Sequence, residues 1–204
     1  INHNSIDGIV TDVNKFAMYG EKGVLALLSD STNVEKEGYT ISDQDVGETL
    51  EKIISKSQGR VIVALFASNV SRIQQIIDIA AKKGKKIIFN GRSIEFTIQI
   101  AKEHGHINIP EGIEIRLNQI STYPNNEIIL VTTGSQGEPM SALARIATGS
   151  HRYIKIEEKD TFVLSSKFIP GNEKAITNII NTLYRHGADV IYENISDIHV
   201  SGHA

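Results

Sequence analysis

The chain of 204 residues is 40% hydrophobic with a net charge of −3, which is enough to bury one large core and too acidic to hold nucleic acid by its overall field. It has no cysteine, which excludes cysteine-ligated zinc, a catalytic thiol and a secreted disulfide scaffold, and points to a reducing cytosol. The apolar runs are strand-sized and the opening INHNSIDG lacks the basic start and apolar middle of a signal peptide, so no membrane association is expected.

In chain order, residues 1–22 read as a connector from a neighbouring domain and 23–204 as one domain; the abrupt ends suggest a piece of a longer protein. An apolar run at 23–28 predicts a first strand, followed by helix-period spacing over 43–57 with Ser42 placed as its cap. Strand runs at 60–66, 86–89, 127–132, 161–164 and 189–192 alternate with helical patterns at 70–83, 94–104, 140–148 and 172–186. Gly59, Gly84, Gly105, Gly149 and Gly187 follow helical patterns, where a left-handed residue is favoured. The irregular stretch 107–126 carries Pro110 and Pro124 and is predicted to include a short edge strand at 113–117. Alternation of this kind implies right-handed crossovers and an α/β fold, a doubly wound, mostly parallel sheet flanked by helices.

Open parallel sheets deliver their chemistry at the carboxyl ends of their strands, and here several of those ends are polar. SDSTN at 29–33 brings Asp30 and three hydrogen-bonding side chains to such an end, suited to a base, a metal or a phosphate, or equally to a simple turn. FASN at 66–69 opens a helix with Ser68 and Asn69, an arrangement that receives phosphate and also describes an ordinary cap. Arg72, one turn in, can fork onto a phosphate or stay solvated. Arg92 in NGRS can touch RNA or pair with a surface acid, and IPGNE at 169–173 is explained by helix capping.

TTGSQGEP at 132–139 flanks Ser135 and Gln136 with glycines and opens a helix at Glu138-Pro139. It lacks the GK[ST] ending of a nucleotide-binding P-loop, and no GxGxxG is present for a dinucleotide. HVSGHA presents His199, Ser201, Gly202 and His203 on a loop, where imidazoles and backbone N–H groups can donate a proton, bind phosphate or ligate metal. The bland alternative is a solvated tail. His3, His104, His106, His151 and His186 are scattered and read as structural or exposed.

Taken in order, SDSTN, FASN with Arg72, NGRS, TTGSQGEP, IPGNE and HVSGHA resemble the β-CASP domain of the bacterial ribonuclease J family, over nearly the whole chain. The resemblance implies a domain inserted into a metallo-β-lactamase domain, clamping RNA against a two-zinc site between them. It implies cytoplasmic enzymes of RNA decay and processing, 5′-to-3′ exonucleases with endonucleolytic activity. Asp30 then matches the acidic residue of the first β-CASP motif, and His203 the second-motif histidine beside the scissile phosphate, a general acid supported by Asp30. Ser68, His199, Ser201 and Gly202 match a pocket for a nucleotide phosphate, which favours single-stranded RNA with a 5′-monophosphate. Asn69, Arg72 and Ser135 complete the expected substrate-binding set.

The family's zinc ligands lie in an HxHxDH segment and other motifs that this chain does not contain. No metal ligand is therefore assigned here; two zinc ions are expected in the parent protein, and this chain alone is expected to bind RNA ends weakly without cleaving them. A paralogous subunit, in a homo- or hetero-oligomer, is a further implied partner. Two other readings stand beside this one: a non-catalytic domain whose glycine loops hold a small phosphorylated ligand, and a scaffold for a paralogous nuclease. The alternating fold alone does not separate them.

Overall fold

A computed structural model describes residues 11–29 and 41–200. Five strands, β1 (Val61–Ala64), β2 (Lys86–Asn90), β3 (Ile128–Thr132), β4 (Thr161–Leu164) and β5 (Asp189–Ile191), pair in parallel in the order β2-β3-β1-β4-β5. The helices are α1 (Val13–Lys22), α2 (Asp43–Lys56), α3 (Val70–Lys82), α4 (Arg92–Glu103), α5 (Ala142–Ala147) and α6 (Glu173–Arg185). The expected α/β architecture, a parallel sheet flanked by helices, is the one observed.

The sheet forms because its central strands are apolar on both sides. VIVA of β1 and IILVT of β3 are buried at every residue, which a parallel sheet covered on both faces requires. Alternate residues feed two cores: Val61, Val63, Ile129 and Val131 pack under α2, α3 and α4, while Ile62, Ala64, Leu130 and Phe162 pack under α5 and α6. Local signals set the helix starts. Ser42 Oγ accepts from Asp45 N–H at 3.2 Å while the Asp45 carboxylate accepts from Ser42 N–H at 2.9 Å, a reciprocal cap on α2.

Four of the expected helix-ending glycines, Gly84, Gly105, Gly149 and Gly187, have positive φ, and Gly59 does not. Gly59 serves close approach instead: a Cβ there would lie 2.4 Å from the Lys159 carbonyl oxygen.

Three expectations are corrected. Residues 23–28 form no strand, because no described strand lies alongside to complete a ladder, and Leu25, Leu27 and Leu28 are left exposed. Ahead of them Asp12 caps α1 through Lys15 N–H at 3.0 Å, and no α1 residue is buried, which leaves the connector reading as it stood. The edge strand expected at 113–117 shrinks to one bridge, Ile87 with Glu114. The Gln119 side chain takes the Arg116 N–H at 2.9 Å and turns the chain into a 3-10 segment, Leu117–Thr122. Last, α5 begins at Ala142 rather than 140, because Met140 has φ 65° and Ser141 Oγ accepts from Ala144 N–H at 3.1 Å.

At the amino end of the sheet, Arg60 and Asp160 immediately precede β1 and β4 and join them. Arg60 Nε donates to Asp160 Oδ1 at 2.9 Å and Nη2 to Oδ2 at 2.5 Å, with side chains only 5% and 1% exposed. Nη2 also reaches the Lys155 carbonyl at 2.6 Å, and Asp160 accepts from Glu157 N–H at 2.9 Å. Removing one partner of such a pair strands a buried charge. Asp160→Ala is expected to destabilise the fold by about 3–5 kcal/mol, read as a lower urea midpoint, and a loss under 1 kcal/mol would show that water reaches Arg60.

Candidate functional site

The strands β1 and β4 are neighbours, yet the helix after β1, α3, packs on one face and the helix after β4, α6, on the other. Connections that diverge in this way leave a crevice between the carboxyl ends of the two strands. FASN lies there. Asn69 caps α3, its Oδ1 accepting from Arg72 N–H and from Ser71 Oγ, each at 3.1 Å, so its side chain is committed to the turn. Ser68 is exposed beside it.

Arg72 is neither solvated nor on the surface. Its side chain is 1% exposed, Nη2 donates to Asp43 Oδ1 at 2.6 Å in the first turn of α2, and Nε and Nη1 are buried with no hydrogen-bond partner among the described residues. Burial pulls the guanidinium below its ordinary range, and Asp43 only partly offsets this. His199 shares this environment. Its charged form is disfavoured first by burial and then by Arg72, with Lys167 adding to the effect, against a hydrogen bond to the Ser165 backbone and the Asp43 charge. Its Nδ1 is buried without a partner, and Ser165 Oγ donates to the neighbouring Ile198 carbonyl at 2.5 Å. The start of α2, the first turn of α3, the end of β4 and residues 198–199 thus meet around a cation with unused donors.

The next loop along the rim, after β3, is tight. Gly134 and Gly137 have φ of 110° and 75°, and a Cβ on Gly137 would lie 2.8 Å from Ala175 of α6. Ser135 is 1% exposed, inside the loop. The Gln136 amide ties this loop to the end of β4: Nε2 donates to Ser166 Oγ at 3.0 Å and to the Lys167 carbonyl at 2.9 Å, while Oε1 accepts from Ile169 N–H at 2.9 Å. Asn172 makes no cap bond; Glu173 instead accepts from Gly171 N–H at 2.8 Å.

At the end of β2, the Asn90 amide lies 3.1 Å from Nε2 of His151, which is 4% exposed. His151 Nδ1 accepts from Tyr153 N–H at 3.3 Å and Ile154 N–H at 3.2 Å. Arg92 opens α4 and is exposed.

The structure therefore brings together Ser68, Asn69, Arg72 and His199 and places Ser135 in a separate, buried turn. Asp30, Ser201, Gly202 and His203 lie outside the described residues. Sequence reasoning missed Asp43, whose position beside the Ser42 cap marks a helix start and says nothing of an arginine 29 residues away. It also set aside His151, whose role depends on Asn90, 61 residues earlier. Gln136 was at least flagged by the flanking glycines.

Among the described residues no group of three or more histidine, aspartate or glutamate side chains is placed to hold a metal ion. No described helix is long and apolar enough to cross a membrane.

Residues 58–183 match a family model described as ribonuclease J, β-CASP domain. The chain is 46% identical over 204 residues to a ribonuclease J of Helicobacter pylori, covering all of this chain and 30% of that protein. It is 45% identical over 204 residues to a ribonuclease J of a Synechocystis species, covering all of this chain and 32% of the relative. With ribonuclease J2 of Bacillus subtilis the identity is 43% over 192 residues, or 94% of this chain and 34% of that protein. The chain thus spans about a third of the length of these relatives.

Burial, with Arg145 and Lys155 nearby, holds His151 below the ordinary 6.5, and His199 is lowered from the same value. Both folded-state values lie under the unfolded one, so the unfolded chain takes up protons first. Stability is complete above pH 6.5 and is lost as the pH falls from there toward the folded-state values. Thermal unfolding followed from pH 8 to pH 5 is expected to show that decline. His151→Asn, which keeps an acceptor for the two N–H groups, is expected to flatten it; an unchanged slope would remove His151 from the explanation.

Proposed function

The chain belongs to the ribonuclease J β-CASP domain family, and on that footing we propose that it is the RNA-clamping, 5′-phosphate-sensing part of a metal-dependent ribonuclease. The observation that carries the reading is the buried Arg72 guanidinium, two of whose nitrogens have no hydrogen-bond partner among the described residues, in the crevice with His199. A charged group with unused donors in the interior is costly to leave alone. An anion that supplies acceptors offsets that cost. A terminal phosphate monoester carries more charge than an internal diester, so such a pocket prefers the 5′-monophosphate end of single-stranded RNA to a 5′-hydroxyl. Ser68 stands at the exposed mouth of the crevice and adds a hydroxyl donor, while Asn69 holds the turn in shape. Ser135 contributes through the rim loop in which it is buried.

The remaining roles follow from family resemblance. Ser201 and Gly202 complete the phosphate pocket, and His203, supported by Asp30, gives its proton to the oxygen that leaves phosphorus as water attacks. Metal ions lie outside what these residues supply, so the chain alone binds RNA ends and does not cleave them; the parent acts in cytoplasmic RNA decay and processing as a 5′-to-3′ exonuclease with endonucleolytic activity. The metallo-β-lactamase domain of the same parent, or a paralogous subunit, is the proposed cover for Phe16, Leu25, Leu27 and Leu28, which are exposed together on one segment.

The test is a titration of the chain with a short RNA bearing a 5′-monophosphate and with the same RNA bearing a 5′-hydroxyl, at low salt. A preference of roughly tenfold for the phosphate, lost in Ser68→Ala and His199→Ala, is expected. Equal affinity for the two RNAs would overturn the pocket, and tight binding of a free sugar phosphate with no gain from a following chain would favour a small-ligand role.

A further inference from the structure

We propose that Arg152 and Tyr153 form a base-stacking platform for single-stranded RNA on the β2 side of the rim, resting on the reading of that rim as an RNA-end site. The Arg152 guanidinium lies over the Tyr153 ring, 5.1 Å from its centroid, and Tyr153 is 43% exposed. A planar ring backed by a planar cation offers a surface on which any base can stack, independent of sequence.

Three further observations support this. First, the platform is held rigid from below. His151, 4% exposed, accepts the N–H groups of Tyr153 and Ile154, and Ile154 is itself buried at 1% in the core under α5 and α6. Arg152 and Tyr153 thus sit between two buried anchors with their side chains turned outward, so little conformational freedom is lost on binding.

Second, the local charge opposes that of the whole molecule. Residues 139–156, between Glu138 and Glu157, contain Arg145, Arg152 and Lys155 and no aspartate or glutamate, in a chain whose net charge is −3. All three cations are exposed, Arg145 and Lys155 lie close enough to disfavour charge on His151, and no ion pair to a carboxylate engages any of the three among the described residues. An acidic protein that contacts RNA needs local positive charge of this kind.

Third, the location suits a chain leaving the phosphate crevice. The His151 contact to Asn90 fixes the platform at the carboxyl end of β2. β2 lies two places from β1 in the sheet, so their carboxyl ends are on the order of 10 Å apart, with the platform on the α5 and α6 face and the FASN turn leading into α3 on the other.

The test uses a six-nucleotide RNA with a 5′-monophosphate and 2-aminopurine placed at successive positions, titrated into the chain. Wild type and Tyr153→Phe are expected to quench the aminopurine at one or two adjacent positions. Tyr153→Ala is expected to abolish that quenching and weaken binding about tenfold, but not for an RNA that is abasic at the quenched position; Arg152→Ala gives a partial loss. The 5′-monophosphate to 5′-hydroxyl affinity ratio is expected to stay unchanged in all three variants. Wild-type quenching and affinity in Tyr153→Ala would overturn the platform and leave the phosphate pocket standing. A lost phosphate preference with quenching retained would overturn the pocket alone, and a chain that binds no RNA would overturn both.

Discussion

Helices cover both faces of the parallel sheet, and that single constraint decides where polar chemistry can go. With β1 and β3 buried at every residue, a polar side chain has room only at the two strand ends. At the amino end Arg60, Asp160 and Thr161 occupy it, and the ion pair there satisfies itself through four polar contacts. The carboxyl end carries Asn90, Thr132, Ser135, Gln136, Ser165 and Ser166, all buried, together with Arg72 and His151. One end is closed and matched; the other is richer in polar groups and incompletely matched. Asymmetry of that sort sets the carboxyl end apart as the one whose buried polar groups are not all satisfied by the described residues.

The matched groups at the carboxyl end act between loops more than within them. Gln136 joins the loop after β3 to the residues after β4 with three hydrogen bonds, and His151 joins the segment after α5 to the end of β2. Arg72 differs in kind. It gives one bond to Asp43 and has two nitrogens without a partner among the described residues, beside an imidazole whose charged form burial and the same guanidinium disfavour. A neutral ring next to an unsatisfied cation is a pairing that an incoming anion would stabilise from both sides.

Most of the frame was legible in the sequence because period and punctuation agree there. The strand runs VIVA, IILVT and TFVL and the amphipathic spacing of α3 and α6 bury the residues their patterns indicate. Legibility ended where a contact joins distant residues: Arg72 with Asp43, Gln136 with Ser166, and Asn90 with His151 have no local signature. It also ended at residues 23–28, whose apolar content demands a partner that no described strand provides. Of the candidate site, the FASN turn and His199 were readable as types of residue at a strand end, but not the burial that sets their chemistry. The assignments to Asp30, Ser201, Gly202 and His203 rest on resemblance, since these positions lie outside the described residues.

The way the rim loops are fastened bears on how such a surface can change over time. His151 grips the backbone N–H groups of Tyr153 and Ile154, and Gln136 takes the Ile169 N–H and the Lys167 carbonyl. Backbone groups are present whatever side chain a position carries. Exchanges at outward-facing positions such as Ser68, Arg92, Arg152 and Tyr153 therefore leave the fastenings intact. Point substitution along this edge can therefore alter the surface it presents while the scaffold beneath stays the same.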